Sequence, residues 1–196
     1  MRIQQQEYKH LLTAWALLSI AFAIALRQPQ LSILQNLAVA GASAGLGLIA
    51  HELAHKYVAQ HYNKFAEFKA SISSLLVSIA VAFSGVVLAA PGAVHISGFV
   101  NQKQRGLIAA AGPATNAALA LITLPLFLLT TPNTLLQILL ATTFLVNAWF
   151  ALFNLAPFWV FDGAKIIEYN KLLYTALTLT SVLLVFIGAV FVAPTL

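Results

Sequence analysis

Six long apolar stretches organise this sequence, at 11–26, 31–50, 72–90, 106–130, 134–153 and 172–193. Each approaches the ~20 residues that a helix needs to cross the hydrocarbon core of a bilayer. Between them lie the breakers and the charges: Arg27-Gln28-Pro29, the run from Lys64 to Lys69, Pro91-Gly92, the run from Lys103 to Arg105, Thr131-Pro132-Asn133, and the segment from Asn154 to Lys171. The chain is 61% hydrophobic and 8% charged. Soluble domains carry about 45–50% apolar and about 25% charged residues. A soluble fold could not cover its surface with this composition. A single polytopic membrane domain over 1–196 is the expectation, with its core at about 33–165.

Charge predicts how the chain crosses. The net charge of +5 comes from 10 Lys and Arg against 5 Asp and Glu. In a membrane protein that excess reports loops facing the cytoplasm and anionic lipid, which makes nucleic-acid binding a poor reading. If all six stretches cross, Lys and Arg divide five and five. If 72–90 dips in and returns, nine lie with the N-terminus and Arg27 alone lies opposite. The positive-inside rule prefers the second arrangement, with the N-terminus in the cytoplasm and the chain in the cell membrane. Ser71, Ser73, Ser74, Ser78, Ser84 and Gly85 give this stretch the polarity of a re-entrant element, tolerated at membrane depth when buried against protein or water. The expected fold is an all-α membrane bundle of about five to six transmembrane helices with that re-entrant segment. The N-terminal MRIQQQEYKH leads directly into the first span, without a small-residue cleavage site. Small-residue runs at 40–45 and 109–114 let helix backbones approach closely.

The polar residues inside this apolar frame are few. His51-Glu52-Leu53-Ala54-His55 closes the second stretch. Residues i and i+4 share a helix face, so both imidazoles can turn toward one ion, with Glu52 beside them as general base for a metal-activated water. Buried imidazoles and a carboxylate are costly in a membrane unless paired or functional. The absence of cysteine removes thiolate ligands and nucleophiles. A catalytic zinc commonly takes three protein ligands, so one more is required. Glu7, Glu67 and Glu168 sit among loop charges and suit solvated roles, and His95 reads more readily as a loop histidine than as a ligand. Asp162, an acid set among apolar and aromatic residues on the same predicted side, is the best choice; its plain alternative is a helix N-cap.

Three motifs in order, HELAH, Gly112-Pro113-Ala114-Thr115-Asn116, and Asn154-x-x-Pro157 leading to Asp162-Gly163, resemble those of the site-2 protease family of intramembrane metalloproteases. The resemblance implies a zinc cofactor on His51, His55 and Asp162, Glu52 as catalytic base, Asn154 near the scissile backbone and Asn116 as a structural or substrate-contacting residue. It implies transmembrane protein substrates cut within or near the bilayer. It also implies a minimal core of the prokaryotic or archaeal kind, without a PDZ or CBS module. The chain departs from the family where Phe158-Trp159-Val160-Phe161 replaces the usual prolines. An inactive homologue serving as a membrane chaperone is the alternative, although it would tend to have lost Glu52 or a ligand. Finally, Ala93-Val94-His95-Ile96-Ser97-Gly98 alternates as a strand does. It is expected to be a lone membrane-associated strand, either a connector that caps the re-entrant segment or an unpaired edge that takes substrate through Val94, His95 and Ile96.

Overall fold

The computed structural model describes residues 1–87, 91–158 and 160–196. Helix α1 covers Gln5–Ala25. The second apolar stretch folds as α2 (Ile33–Ala40), a π-helical turn at Gly41–Gly45 and α3 (Leu46–His61), one continuous element of 29 residues. Helices α5 (Gln102–Leu128), α6 (Leu135–Asn154) and α8 (Lys171–Ile187, continued by a π-helical turn at Gly188–Val192 and a 3₁₀ turn at Ala193–Thr195) follow, with the short α7 (Asp162–Tyr169) before the last. Five of these elements are long and apolar enough to cross a membrane. Their outward faces carry the large apolar side chains: Leu129, Leu172 and Leu179 are 85%, 80% and 65% exposed, as befits residues meeting lipid rather than water.

Helix starts follow local chemistry. Ser32 and Asn101 each cap a helix and close a capping box with Gln35 and Gln104, satisfying backbone donors that a helix end leaves orphaned. The stretch from 72 folds as α4 (Ile72–Ala82), only 11 residues, while its last three residues lie outside those described. At 1.5 Å per residue such a helix covers roughly half of a ~30 Å core.

The expected strand is present as β2 (Gly92–Ser97), but it is not alone. It pairs antiparallel with β1 (Phe65–Ala70), matching Glu67 with His95 and Phe68 with Val94. The expectation of a solitary strand is therefore corrected. The charges of Lys64, Glu67 and Lys69 read as a loop in sequence, yet Ala66 and Phe68 alternate with Phe65, Glu67 and Lys69 and turn inward, with Phe68 fully buried. Gly92 sits at φ 146° so close to the carbonyl of Lys69 that a Cβ would collide with that backbone.

Glu7 also departs from its expected solvated role. It is fully buried, and its carboxylate accepts from Lys56 Nζ and from the Phe68 amide at 3.0 Å. Lys56 donates in addition to the Ala66 carbonyl at 2.9 Å. This pair ties α1, α3 and β1 together directly behind His55.

Candidate metal centre

Helix α3 delivers His51 and His55 one turn apart, on the face packed against α5, and the first turn of α7 brings Asp162 to them. The two Nε2 atoms lie 3.0 Å apart, and Asp162 Oδ2 lies 3.4 Å from His51 Nε2 and 3.1 Å from His55 Nε2. All three residues are buried.

The other faces of the rings settle what these atoms are. His51 Nδ1 donates to Asn116 Oδ1 at 2.5 Å, and His55 Nδ1 donates to the Ile108 carbonyl at 2.7 Å. A carbonyl oxygen can only accept, so each ring in its neutral form carries its proton on Nδ1 and turns a lone pair outward on Nε2. Two imidazole lone pairs and a carboxylate oxygen then converge on one point. Three acceptors at this separation repel one another unless a cation lies among them, and two nitrogens with one oxygen are a zinc donor set. His51, His55 and Asp162 thus form a group able to hold a metal ion.

The ground beside them is kept clear by glycine. A Cβ at Gly112 would collide with the Nε2 atoms of both histidines. Gly163 is equally constrained, because a Cβ there would strike the Leu155 and Ala156 carbonyls, and this close approach lets α7 start beside the end of α6. Within the small-residue run, Gly112 is therefore a structural requirement of the site, beyond general helix packing.

Asp162, through Oδ2, is thus the third acceptor of the cluster. Its second oxygen, Oδ1, accepts from Lys165 Nζ at 3.1 Å, one turn along α7. Lys165 was not singled out from sequence; its i,i+3 spacing from Asp162 on a helix was the available signal.

A cavity of about 480 Å³ opens on this cluster, lined by Glu52, the three potential ligands, Val94, Ile96 and Asn154 among others. Glu52 is buried and follows His51 directly in the chain. Asn154, at the end of α6, uses one amide donor on the Phe150 carbonyl at 2.9 Å. Asn116 is fully buried behind His51 and does not line the cavity. His95 sits on the exposed face of β2, opposite Val94 and Ile96, and does not line the cavity either. In place of the prolines, Phe161 precedes α7 and stacks edge-on with Phe153 and Phe158, at centroid separations of 4.9 and 5.3 Å; Trp159 lies outside the described residues.

Over 157 residues the chain is 34% identical to a protein of Methanocaldococcus jannaschii named "Putative zinc metalloprotease MJ0611". The alignment covers 79% of this chain and 82% of that relative. No protein-family model and no solved structure matches the chain.

Proposed function

The chain belongs to a zinc metalloprotease family, and from that premise we propose that it is an intramembrane endopeptidase of the site-2 type. Its substrates are membrane proteins, cut within or near a transmembrane helix. The observation that carries this reading is the convergence of His51 Nε2, His55 Nε2 and Asp162 Oδ2 beside Glu52, within a bundle of membrane-length helices.

His51, His55 and Asp162 would hold the zinc. When bound there, zinc supplies Lewis acidity toward a scissile carbonyl and lowers the pKa of a water toward ~7. Glu52 takes the proton from the attacking water on its carboxylate and passes it to the leaving amine. Asn116 and the Ile108 carbonyl hold the two imidazoles in the required tautomer. Lys165 occupies the second oxygen of Asp162 and so keeps Oδ2 for the metal.

A peptide bond within a helix is shielded by its own hydrogen bonds, so the substrate has to be unwound before it is cut. Strand β2 is the element suited to receive it. Val94 and Ile96 face the cavity, and β1 occupies one edge of β2 in a two-stranded sheet. An extended peptide laid along the other edge satisfies its own backbone by strand addition, with Asn154 on the far side of the cleft. The short α4 supports a re-entrant passage of 72–90, and with it the count that puts Lys and Arg, and the mouth of the site, in the cytoplasm.

The test is reconstitution. Purified protein in lipid vesicles, given a generic single-span substrate, should carry one zinc and cleave. Glu52→Gln should keep the zinc and the fold yet leave the substrate intact. Substantial cleavage by that variant, or cleavage by metal-free protein, would overturn the reading.

A further inference from the structure

We propose that Asn147, two hydrogen bonds removed from His51, is a positioning residue that, together with the Gly47 carbonyl, fixes which nitrogen of His51 faces the metal. The inference rests on the metal-site reading above.

The reasoning starts from a property of amides. The oxygen and the NH2 of an asparagine have nearly the same shape, so a buried amide can be turned over at little steric cost. If Asn116 turned over, its NH2 would meet His51 Nδ1. That nitrogen would then have to accept, its proton would move to Nε2, and the lone pair needed for a metal would be gone. Some other contact must therefore hold Asn116 in place.

Asn116 Nδ2 donates to the Gly47 carbonyl at 3.1 Å and to Asn147 Oδ1 at 2.8 Å. Asn147 is in turn fixed by its own Nδ2, which donates to the Thr143 carbonyl at 2.9 Å. Both chains of contacts end on backbone carbonyls, which accept and never donate. Turning Asn147 over would set its oxygen against the Thr143 carbonyl and its NH2 against that of Asn116. The polarity of the whole line, Thr143 carbonyl to Asn147 to Asn116 to His51, thus runs one way.

Two further observations close the argument. Both asparagines are fully buried, so water cannot stand in for a lost partner. Gly47 has no room for a side chain: a Cβ there would lie 2.6 Å from Asn147 Oδ1. Helix α3 gives up a side chain at Gly47 so that an amide from α6 can reach across to Asn116.

The experiment is a double-mutant cycle on zinc affinity, measured by chelator competition on the full-length protein in detergent. Asn147→Leu should weaken zinc binding about tenfold, the lower end of the range for residues that orient metal ligands from outside. In an Asn116→Ala background the same change should alter affinity by less than about twofold, because the line to His51 is already cut. Gly47→Ala, which pushes the amide of Asn147 from the opposite side without adding polarity, should show the same dependence on Asn116 and decides the matter if Asn147→Leu does not fold. Equal losses in both backgrounds, or no loss with Asn116 present, would overturn the proposal while leaving the metal site standing. Should His51→Ala itself retain tight zinc, both readings fall.

Discussion

Two buried polar clusters meet at consecutive residues of α3, and they are built on opposite principles. Lys56 faces Glu7 and the Ala66 carbonyl, while the Glu7 carboxylate accepts from Lys56, the Phe68 amide and the Gln4 amide. Positive meets negative and donor meets acceptor, so this cluster is closed. His55, one residue earlier, turns its lone pair toward another lone pair and a carboxylate oxygen. That cluster is open, since its members repel until a cation joins them. The lesson is that burial of charge does not by itself mark a functional site. An excess of acceptors does.

The comparison can be broken most severely at the open cluster. His55→Ala or Asp162→Ala should lose zinc, as read by metal analysis, and reduce cleavage to background. Full zinc and full activity in Asp162→Ala would leave Asp162 as a helix cap. Next in size is Glu52→Gln, which should lower the cleavage rate roughly 10²–10⁴-fold, the range for a positioned general base, with zinc content unchanged.

The closed cluster should respond in stability and not in metal. Lys56→Met leaves Glu7 as an uncompensated buried charge and should cost about 3–5 kcal/mol, read as a fall in the unfolding midpoint with zinc retained. Adding Glu7→Leu should recover most of that loss. If Lys56→Met instead removes zinc while the fold persists, the two clusters are one unit and the contrast fails. The smallest effect is expected at Arg105, whose pair with Glu168 at 3.6 Å lies in the open. Arg105→Gln should change stability by less than about 1 kcal/mol.

How much of this was legible beforehand depended on the range of each interaction. The spans showed in runs of apolar residues, and HELAH showed because its two histidines sit one turn apart on one helix. Asp162 could be singled out because an acid among aromatic residues is conspicuous, and its i,i+3 partner Lys165 could have been found the same way. The strand 92–97 announced itself by alternation, whereas β1 did not, because its Glu67 and Lys69 resemble a loop until Ala66 and Phe68 are seen to point inward. Nothing near Glu7 in the chain forecasts Lys56, which lies 49 residues away.

The sequence alone therefore pointed to the solvent this protein inhabits, the positions of its membrane-length helices and the candidate metal donors, because each depends on composition or on neighbours within a turn or two. Only the tertiary structure decided how those donors are used. The tautomer of His51 depends on Asn116, 65 residues on in the chain, and through it on Asn147. The clearance over both imidazoles depends on Gly112, from another helix. A hydrogen bond has a direction and a cavity has an absence at its centre. Neither exists until distant parts of the chain are brought together.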